Sequence, residues 1–288
     1  MRPAEAARPA PPAPPAPPAP PAPPRPVHRR AWITAALLSA VLVLAPVAWQ
    51  VFAHGVTQSR VLYGGSGGRL VTAVEIVGGD ANVSVTPRSD REVGYRAEVR
   101  WSLGAPVIEE SWLGGSLRLT PRCSGEGSLL GAGGGCSVSL GVTVPDGIPV
   151  KVTAGSGRVA VKGLSGNVDA SVGSGALTLT GLRGELRAEV GSGSLVAGDL
   201  TSARADVRVG SGRGEAAFLT PPERVTARVA SGRVRLTVPA AGRFRVGCEV
   251  GPGRCEVPEA LSDPASGRVL DIAVDSGRAQ VGYPDPMS

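Results

Sequence analysis

Six Ser-Gly pairs, at Ser156-Gly157, Ser174-Gly175, Ser192-Gly193, Ser211-Gly212, Ser231-Gly232 and Ser276-Gly277, are the groups whose type and spacing first suggest chemistry. A serine becomes a nucleophile only beside a base. The two histidines, His28 and His54, both precede the region that carries these serines, so a Ser-His-Asp or Cys-His constellation cannot be assembled there. The Gly-Ser-Gly strings invite comparison with phosphate loops, but they recur at structural spacing, precede strands and lack the Gly-Lys-Ser ending. Calcium-binding nonapeptides place an Asp in each glycine-rich unit, and Gly173-Ser174-Gly175 and Gly191-Ser192-Gly193 contain none. No metal and no cofactor is expected.

Carboxylates and arginines are the next candidates. Polysaccharide-cleaving β-helices gather acidic side chains on one outward face. Here Asp169, Glu189, Asp199, Asp206 and Glu215 are scattered among arginines, which reads as charge neutralisation, and no catalytic residue is assigned. Arg158, Arg187, Arg208, Arg213, Arg228, Arg233 and Arg235 are the candidate face for an acidic ligand, each with a plainer reading as a solvated surface residue. The four cysteines fall in two local pairs, Cys123 with Cys136 and Cys248 with Cys255. In an oxidising compartment they form two disulfides. Zinc is the alternative, but neither pair has knuckle spacing and no histidine follows His54.

The elements that would carry these groups are set by an internal repeat. The first five Ser-Gly pairs are separated by 18, 18, 19 and 20 residues. Six, four and two places before the serines stand Val168, Ala170 and Val172, then Leu186, Ala188 and Val190, then Ala205, Val207 and Val209, then Val225, Ala227 and Val229. Polar residues alternate with them, the period of a strand buried on one face. A second strand follows each corner, with Val159 and Val161, Leu177 and Leu179, Leu195 and Ala197, Val234 and Leu236 facing inward. Leu164, Leu182, Leu200 and Leu219 mark a second corner, with Gly166 and Gly184 suited to positive φ. The reading is an all-β, single-stack β-solenoid of about 18–20 residues and two short strands per turn, with rungs about 4.8 Å apart. Asp169 would then stack over Arg187 over Asp206. An antiparallel sandwich is the alternative.

Ala31 to Ala53 carries no charge and is long enough for a bilayer core, which needs about 20 apolar residues. Trp32 and Trp49 lie near its ends, and Arg25, His28, Arg29 and Arg30 precede it. The expectation is one transmembrane helix over 31–53, N-terminus cytoplasmic and the remainder extracellular. A cleaved signal peptide ending at Val51-Phe52-Ala53 is the competing reading. Residues 1–30 read as a disordered Pro-rich cytoplasmic tail, with 13 prolines before residue 28. Of the net charge of +6, +4 belongs to residues 1–30, so the exported part is near neutral and nucleic acid is not an expected partner.

Residues 54–69 are expected as a linker, 70–150 as an irregular β cap region, 151–283 as the regular repeats and 284–288 as a tail. Trp101 and Trp112 suit the cap core better than a ligand platform. Val269 to Val281 is expected as the last turn of the stack.

Trp101-Ser102-Leu103 with Pro106, Leu117-Arg118-Leu119 with Cys123, Val144-Pro145-Asp146-Gly147 and the Ser-Gly corners together give a chain that resembles the bacterial family of candidate adhesins known as DUF4097 β-strand-repeat proteins. The resemblance covers about residues 65 to 283. It implies a β-solenoid at the cell envelope and no catalytic residues. The expected function is a non-catalytic, membrane-anchored, adhesin-like surface scaffold that binds cell-wall polymer or a surface protein. An envelope sensor signalling through the cytoplasmic tail is the alternative, and a polysaccharide-active β-helix enzyme is a third class.

Overall fold

The computed structural model describes residues 29–55, 58–102, 104–123 and 135–284. The chain divides after Trp49 into two units.

Helix α1 (Arg29–Gly55) contains Pro46, and Ser39 Oγ returns its hydrogen bond to the Ala35 carbonyl at 2.9 Å. Its large apolar side chains from Trp32 to Leu44 are exposed. Among the described residues no helix is long and apolar enough to cross a membrane. The described α1 side chains are those of 32–46 and 48, and the rest of the apolar run expected to span lies outside them. The tail expected over 1–30 also lies outside the described residues, apart from the backbone of its last two.

The second unit is all-β. Its leading part supplies β1 (Gln58–Gly65), β2 (Ala73–Gly79), β3 (Asn82–Arg88), β4 (Gly94–Trp101), β5 (Val107–Leu113), β6 (Ser116–Arg122) and β7 (Ser137–Pro145). Paired strands follow, each pair bent at a Ser-Gly corner. They are β8 (Val150–Ala154) with β9 (Arg158–Lys162), β10 (Val168–Val172) with β11 (Ala176–Thr180), β12 (Leu186–Val190) with β13 (Ser194–Leu200), β14 (Arg204–Val209) with β15 (Arg213–Phe218), and β16 (Arg224–Val229) with β17 (Arg233–Thr237). The chain ends with β18 (Arg245–Val250), β19 (Arg254–Glu256), β20 (Val269–Val274) and β21 (Arg278–Gly282).

One member of each pair enters a ten-stranded sheet, β18-β20-β16-β14-β12-β10-β8-β2-β6-β5, and the other an eleven-stranded sheet, β1-β4-β7-β3-β9-β11-β13-β15-β17-β21-β19. Pairing along the repeats is parallel. Val168 lies opposite Leu186, Leu186 opposite Ala205 and Ala205 opposite Val225, so the register offsets reproduce the spacing of the serines. Every expected inward position of these strands is buried, with Val161, Ala170, Leu179, Ala188 and Val207 fully enclosed. Full burial of each Val or Leu favours the fold by roughly 1.5–3 kcal/mol. Small side chains keep the sheets close, and backbone hydrogen bonding runs on around the corners, as in Ser192 N–H to the Gly173 carbonyl at 2.8 Å.

Four features differ from the sequence reading. Gly166 and Gly184, expected at positive φ, are not there, and neither are the glycines of the Ser-Gly corners. They are glycine because a Cβ at Gly193 would fall on the carbonyl oxygen of Gly175, one at Gly175 on that of Gly157, and one at Gly184 on that of Gly166. Positive φ belongs instead to Gly163 (70°), Gly181 (65°) and Asp199 (55°), each just before a buried corner leucine. The fourth turn lacks that kink, so Phe218 pairs with Leu200 and is buried, leaving Leu219 62% exposed. Part of the expected linker, residues 58–65, is β1, held antiparallel to β4.

The fourth difference lies at the C-terminal end. β20 and β21 pair with β16 and β17 directly, and β18 and β19 lie outside them. The turn that comes last in the chain is therefore next to last in space. The excursion between Thr237 and Val269 is fixed by Phe244 and Leu261, both fully buried, through Phe244 N–H to the Leu261 carbonyl at 2.9 Å.

Candidate functional site

The outward positions of the strands make charge columns that climb the sheets. On the ten-stranded sheet the register brings Arg118, Glu75, Lys151, Asp169, Arg187 and Asp206 side by side in that order, with the sign alternating at every step. Arg118 and Glu75 are 2.7 Å apart. Asp206 also holds Arg208 at 2.9 Å and Arg228 at 3.6 Å, and the corners add Arg204 with Glu185 at 2.7 Å. The more exposed of these pairs, Arg118 with Glu75 and Arg204 with Glu185, contribute at most ~1 kcal/mol each, whereas Asp206 and Arg208 are half-buried. Their effect is to cancel charge and favour one register.

Asp146 ties two neighbouring corners. Its Oδ1 accepts the Ser165 hydroxyl at 2.6 Å and the Ser165 N–H at 2.8 Å, and its Oδ2 lies 3.2 Å from Arg183. The Ser165 hydrogen bonds, chiefly that of the hydroxyl, hold its carboxyl below the usual range. Near β1 the Tyr95 hydroxyl of β4 donates to Glu110 of β5 at 2.5 Å, linking the two sheets. Burial first, and the Glu110 carboxylate second, push the Tyr95 hydroxyl above its ordinary value.

The eleven-stranded sheet is different. Its first outward column reads Arg158, Ala176, Ser194, Arg213, Arg233, Arg278 and Arg254 in spatial order. The last four are consecutive arginines on adjacent rungs, all exposed. Among the described residues none of these four makes an ion pair or a side-chain hydrogen bond. They line one side of an open groove of about 710 Å³, whose floor is the stacked Ser-Gly corners from Gly193 to Gly277. The next outward column, Glu215, Arg235, Gln280 and Glu256, is mixed, with Arg235 donating to Gln280 at 3.2 Å.

The seven arginines singled out in the sequence therefore do not share a face. Arg187, Arg208 and Arg228 lie on the ten-stranded sheet among acidic neighbours. Arg158, Arg213, Arg233 and Arg235 lie on the other, with Arg158 three rungs from Arg213. Two members of the row were missed. Arg278 had a signal, since Ser-Gly-Arg recurs at 156–158, 211–213, 231–233, 266–268 and 276–278, of which only 266–268 lies outside the strand corners. Arg254 had only Gly253-Arg254, and its place beside Arg278 follows from the threading of the last turns.

Both cysteine pairs are disulfides, Cys123 with Cys136 and Cys248 with Cys255, at Cα separations of 6.1 and 6.6 Å. The second closes the outermost rung, one residue from Arg254. Trp101 and Trp112 are partly buried against the core, with the Arg69 guanidinium 5.1 Å from the Trp112 ring centre. Among the described residues no three His, Cys, Asp or Glu side chains gather as a metal site.

No family model matches the chain, and no curated protein matches it. Three solved structures are similar in outline. A candidate adhesin from Bacteroides fragilis is 13% identical, covering 77% of this chain and 97% of its own, at a TM-score of 0.45. A candidate cell adhesion protein from Clostridium sporogenes is 12% identical, covering 79% and 100%, at 0.38. A candidate lipid-binding protein from Parabacteroides distasonis is 16% identical, covering 79% and 97%, at 0.39. Likeness at this level assigns no function.

Proposed function

We propose that this chain is a non-catalytic binding module built as a single-stack β-solenoid, anchored by α1 in a cell-envelope membrane with the β unit on the outer side. The family expectation drawn from its residues, an adhesin-like scaffold, is the role we assign. The observation that carries the binding reading is the contrast between the two outer faces. Along the column from Arg118 to Asp206 of the ten-stranded sheet the charge alternates. Where that sheet sets arginines opposite each other, Arg208 with Arg228 and Arg204 with Arg224, an acidic side chain pairs with at least one of them. The four arginines from Arg213 to Arg254 on the other sheet stand on adjacent rungs beside a groove, with no ion pair among the described residues. Like charges on directly opposite strand positions are destabilising, so a row of them lowers stability unless a partner neutralises it. Such a surface suits recognition of an extended acidic partner. The uncharged run from Ala31 to Ala53 supports the anchor.

The test is retention of full-length protein, in mild detergent, on cell-wall fractions, anionic polymers and membrane extracts at low and high salt. The reading expects salt-sensitive retention on wall or polymer fractions. No retention on any fraction removes it. Accessibility of the exposed Lys151 and Lys162 to an impermeant amine-reactive label on intact cells tests the topology, and labelling of these two residues only after lysis overturns the outward orientation.

A further inference from the structure

Resting on that reading, we infer that the groove beside Arg213, Arg233, Arg278 and Arg254 binds a linear acidic polysaccharide carrying a carboxylate on each sugar unit. Three separate features converge there. The guanidinium row presents one cation per rung, a repeat of about 4.8 Å set by strand spacing. Arginine forks pair bidentately with carboxylates and remain charged at any physiological pH.

The second feature is the groove floor. Among the described residues the N–H groups of Gly193, Gly212, Gly232 and Gly277 donate to no backbone carbonyl, whereas the serine N–H of each corner and the N–H that follows the glycine are bonded to the rung below. Among the described residues the hydroxyls of Ser211, Ser231 and Ser276 also have no hydrogen-bond partner. A row of unpaired donors and hydroxyls that both donate and accept matches a polymer rich in hydroxyl groups.

The third feature is composition. The groove is lined by Gly, Ser, Arg and one Pro, without an aromatic ring. Single-stranded nucleic acids are held by stacking on aromatic side chains as well as by charge, and that platform is missing. The row also runs up the stack, one arginine per adjacent rung, so an extended chain can follow it. The sheet threading completes the site, because only the insertion of β20 and β21 places Arg278 between Arg233 and Arg254.

The experiment measures binding of full-length protein in mild detergent to polygalacturonate, with inorganic polyphosphate, single-stranded DNA and neutral dextran as separate arms. A fourfold variant, Arg213→Gln, Arg233→Gln, Arg278→Gln and Arg254→Gln, is compared with a charge-matched variant on the other sheet, Arg118→Gln, Lys151→Gln, Arg187→Gln and Arg204→Gln. We expect polygalacturonate binding that weakens with salt, falls at least ~30-fold in the groove variant and stays within about threefold of wild type in the control. Unchanged binding by the groove variant, with its melting curve intact, overturns the assignment. Tighter binding of polyphosphate or DNA than of polygalacturonate overturns the ligand class. Retention on wall fractions that survives the groove variant leaves the binding-module reading standing and removes this site alone.

Discussion

Gly193→Ala measures how tightly the corners stack. A Cβ at this position would overlap the carbonyl oxygen of Gly175 and press on the carbon and nitrogen of the same residue. All three are backbone atoms, so no side chain can rotate away. Relief requires the corner to lift, which stretches the bond from Ser194 N–H to the Gly175 carbonyl, now 3.1 Å. Overpacking of this kind costs about 1–3 kcal/mol, and loss of one hydrogen bond adds about 1 kcal/mol. The reduced freedom of the unfolded chain returns roughly 0.4–1 kcal/mol. The net expectation is about 1–3.5 kcal/mol, or a Tm lower by about 2–14 °C for a β unit of this size. Gly198→Ala is the control, since a Cβ there meets nothing within 4 Å, and it should be as stable as wild type or more stable by up to about 1 kcal/mol. Thermal melts and urea titrations of both variants decide the matter, with unchanged urea slopes confirming that the same unit unfolds. The double variant Gly175→Ala, Gly193→Ala should fall short of additivity, because a corner already lifted admits the second methyl more easily. Equal stability of Gly193→Ala and Gly198→Ala would refute the stacking argument.

Three further outcomes follow from other contacts. Replacing Cys248 and Cys255 by Ser opens a short loop and should remove about 2–2.5 kcal/mol from the outermost rung, so limited proteolysis should cut between residues 243 and 257 before any other strand; a wild-type cleavage pattern would count against a structural role for this disulfide. Tyr95→Phe should flatten the alkaline loss of stability. The folded state holds the Tyr95 proton more tightly than the unfolded chain, so this contribution is complete below pH 10 and declines as pH rises beyond it; parallel declines in wild type and variant would exclude the Tyr95–Glu110 bond as the cause. Asp199→Gly relieves a non-glycine residue at φ 55° and should raise stability by up to ~1 kcal/mol, whereas Asp199→Val should lower it by at least as much; a more stable valine variant in urea titration would contradict the kink.

The period-two pattern and the serine spacing were enough to place Asp169 beside Arg187 beside Asp206, because strand alternation and a constant turn length are both local properties. The end of the stack was not legible for the same reason. Ser276-Gly277 marks a corner, but nothing near it tells whether that rung rests on β17 or on β19. In β18 only Val246 is even half-buried, so the alternation that identifies other strands is absent there. Leu219 failed because turn length hides where a kink sits: the residue that buries is set by the positive-φ position before it, which the fourth turn lacks. Gly166 and Gly184 were recognised as necessary glycines for the wrong physical cause, since close backbone approach and positive φ leave the same letter in a sequence. Arginine was visible throughout, but its role depends on the acidic residue one rung away, and only the register supplies that.

Glycine stacking and the proposed recognition groove are consequences of one design, and that permits a test by construction. Corners without side chains pack at the backbone distance and leave a bare channel along the stack. The residue after each glycine then decides the charge of that channel. It is Arg in the rungs of β9, β15, β17, β21 and β19, but Ala176 and Ser194 interrupt the row between Arg158 and Arg213. Both are on the outer face, so Ala176→Arg and Ser194→Arg should join Arg158 to the row and give seven consecutive cations over about 29 Å at ~4.8 Å per rung. Stability should fall by roughly 0.2–1 kcal/mol for each new like-charge contact. Affinity for long polygalacturonate should rise and its salt dependence steepen, while a short oligomer that covers only four rungs should bind as it does to the wild type. Equal gains for short and long polymers would mean that net charge rather than the row governs binding. No gain for either would mean that the channel between β9 and β15 is not part of the recognition surface.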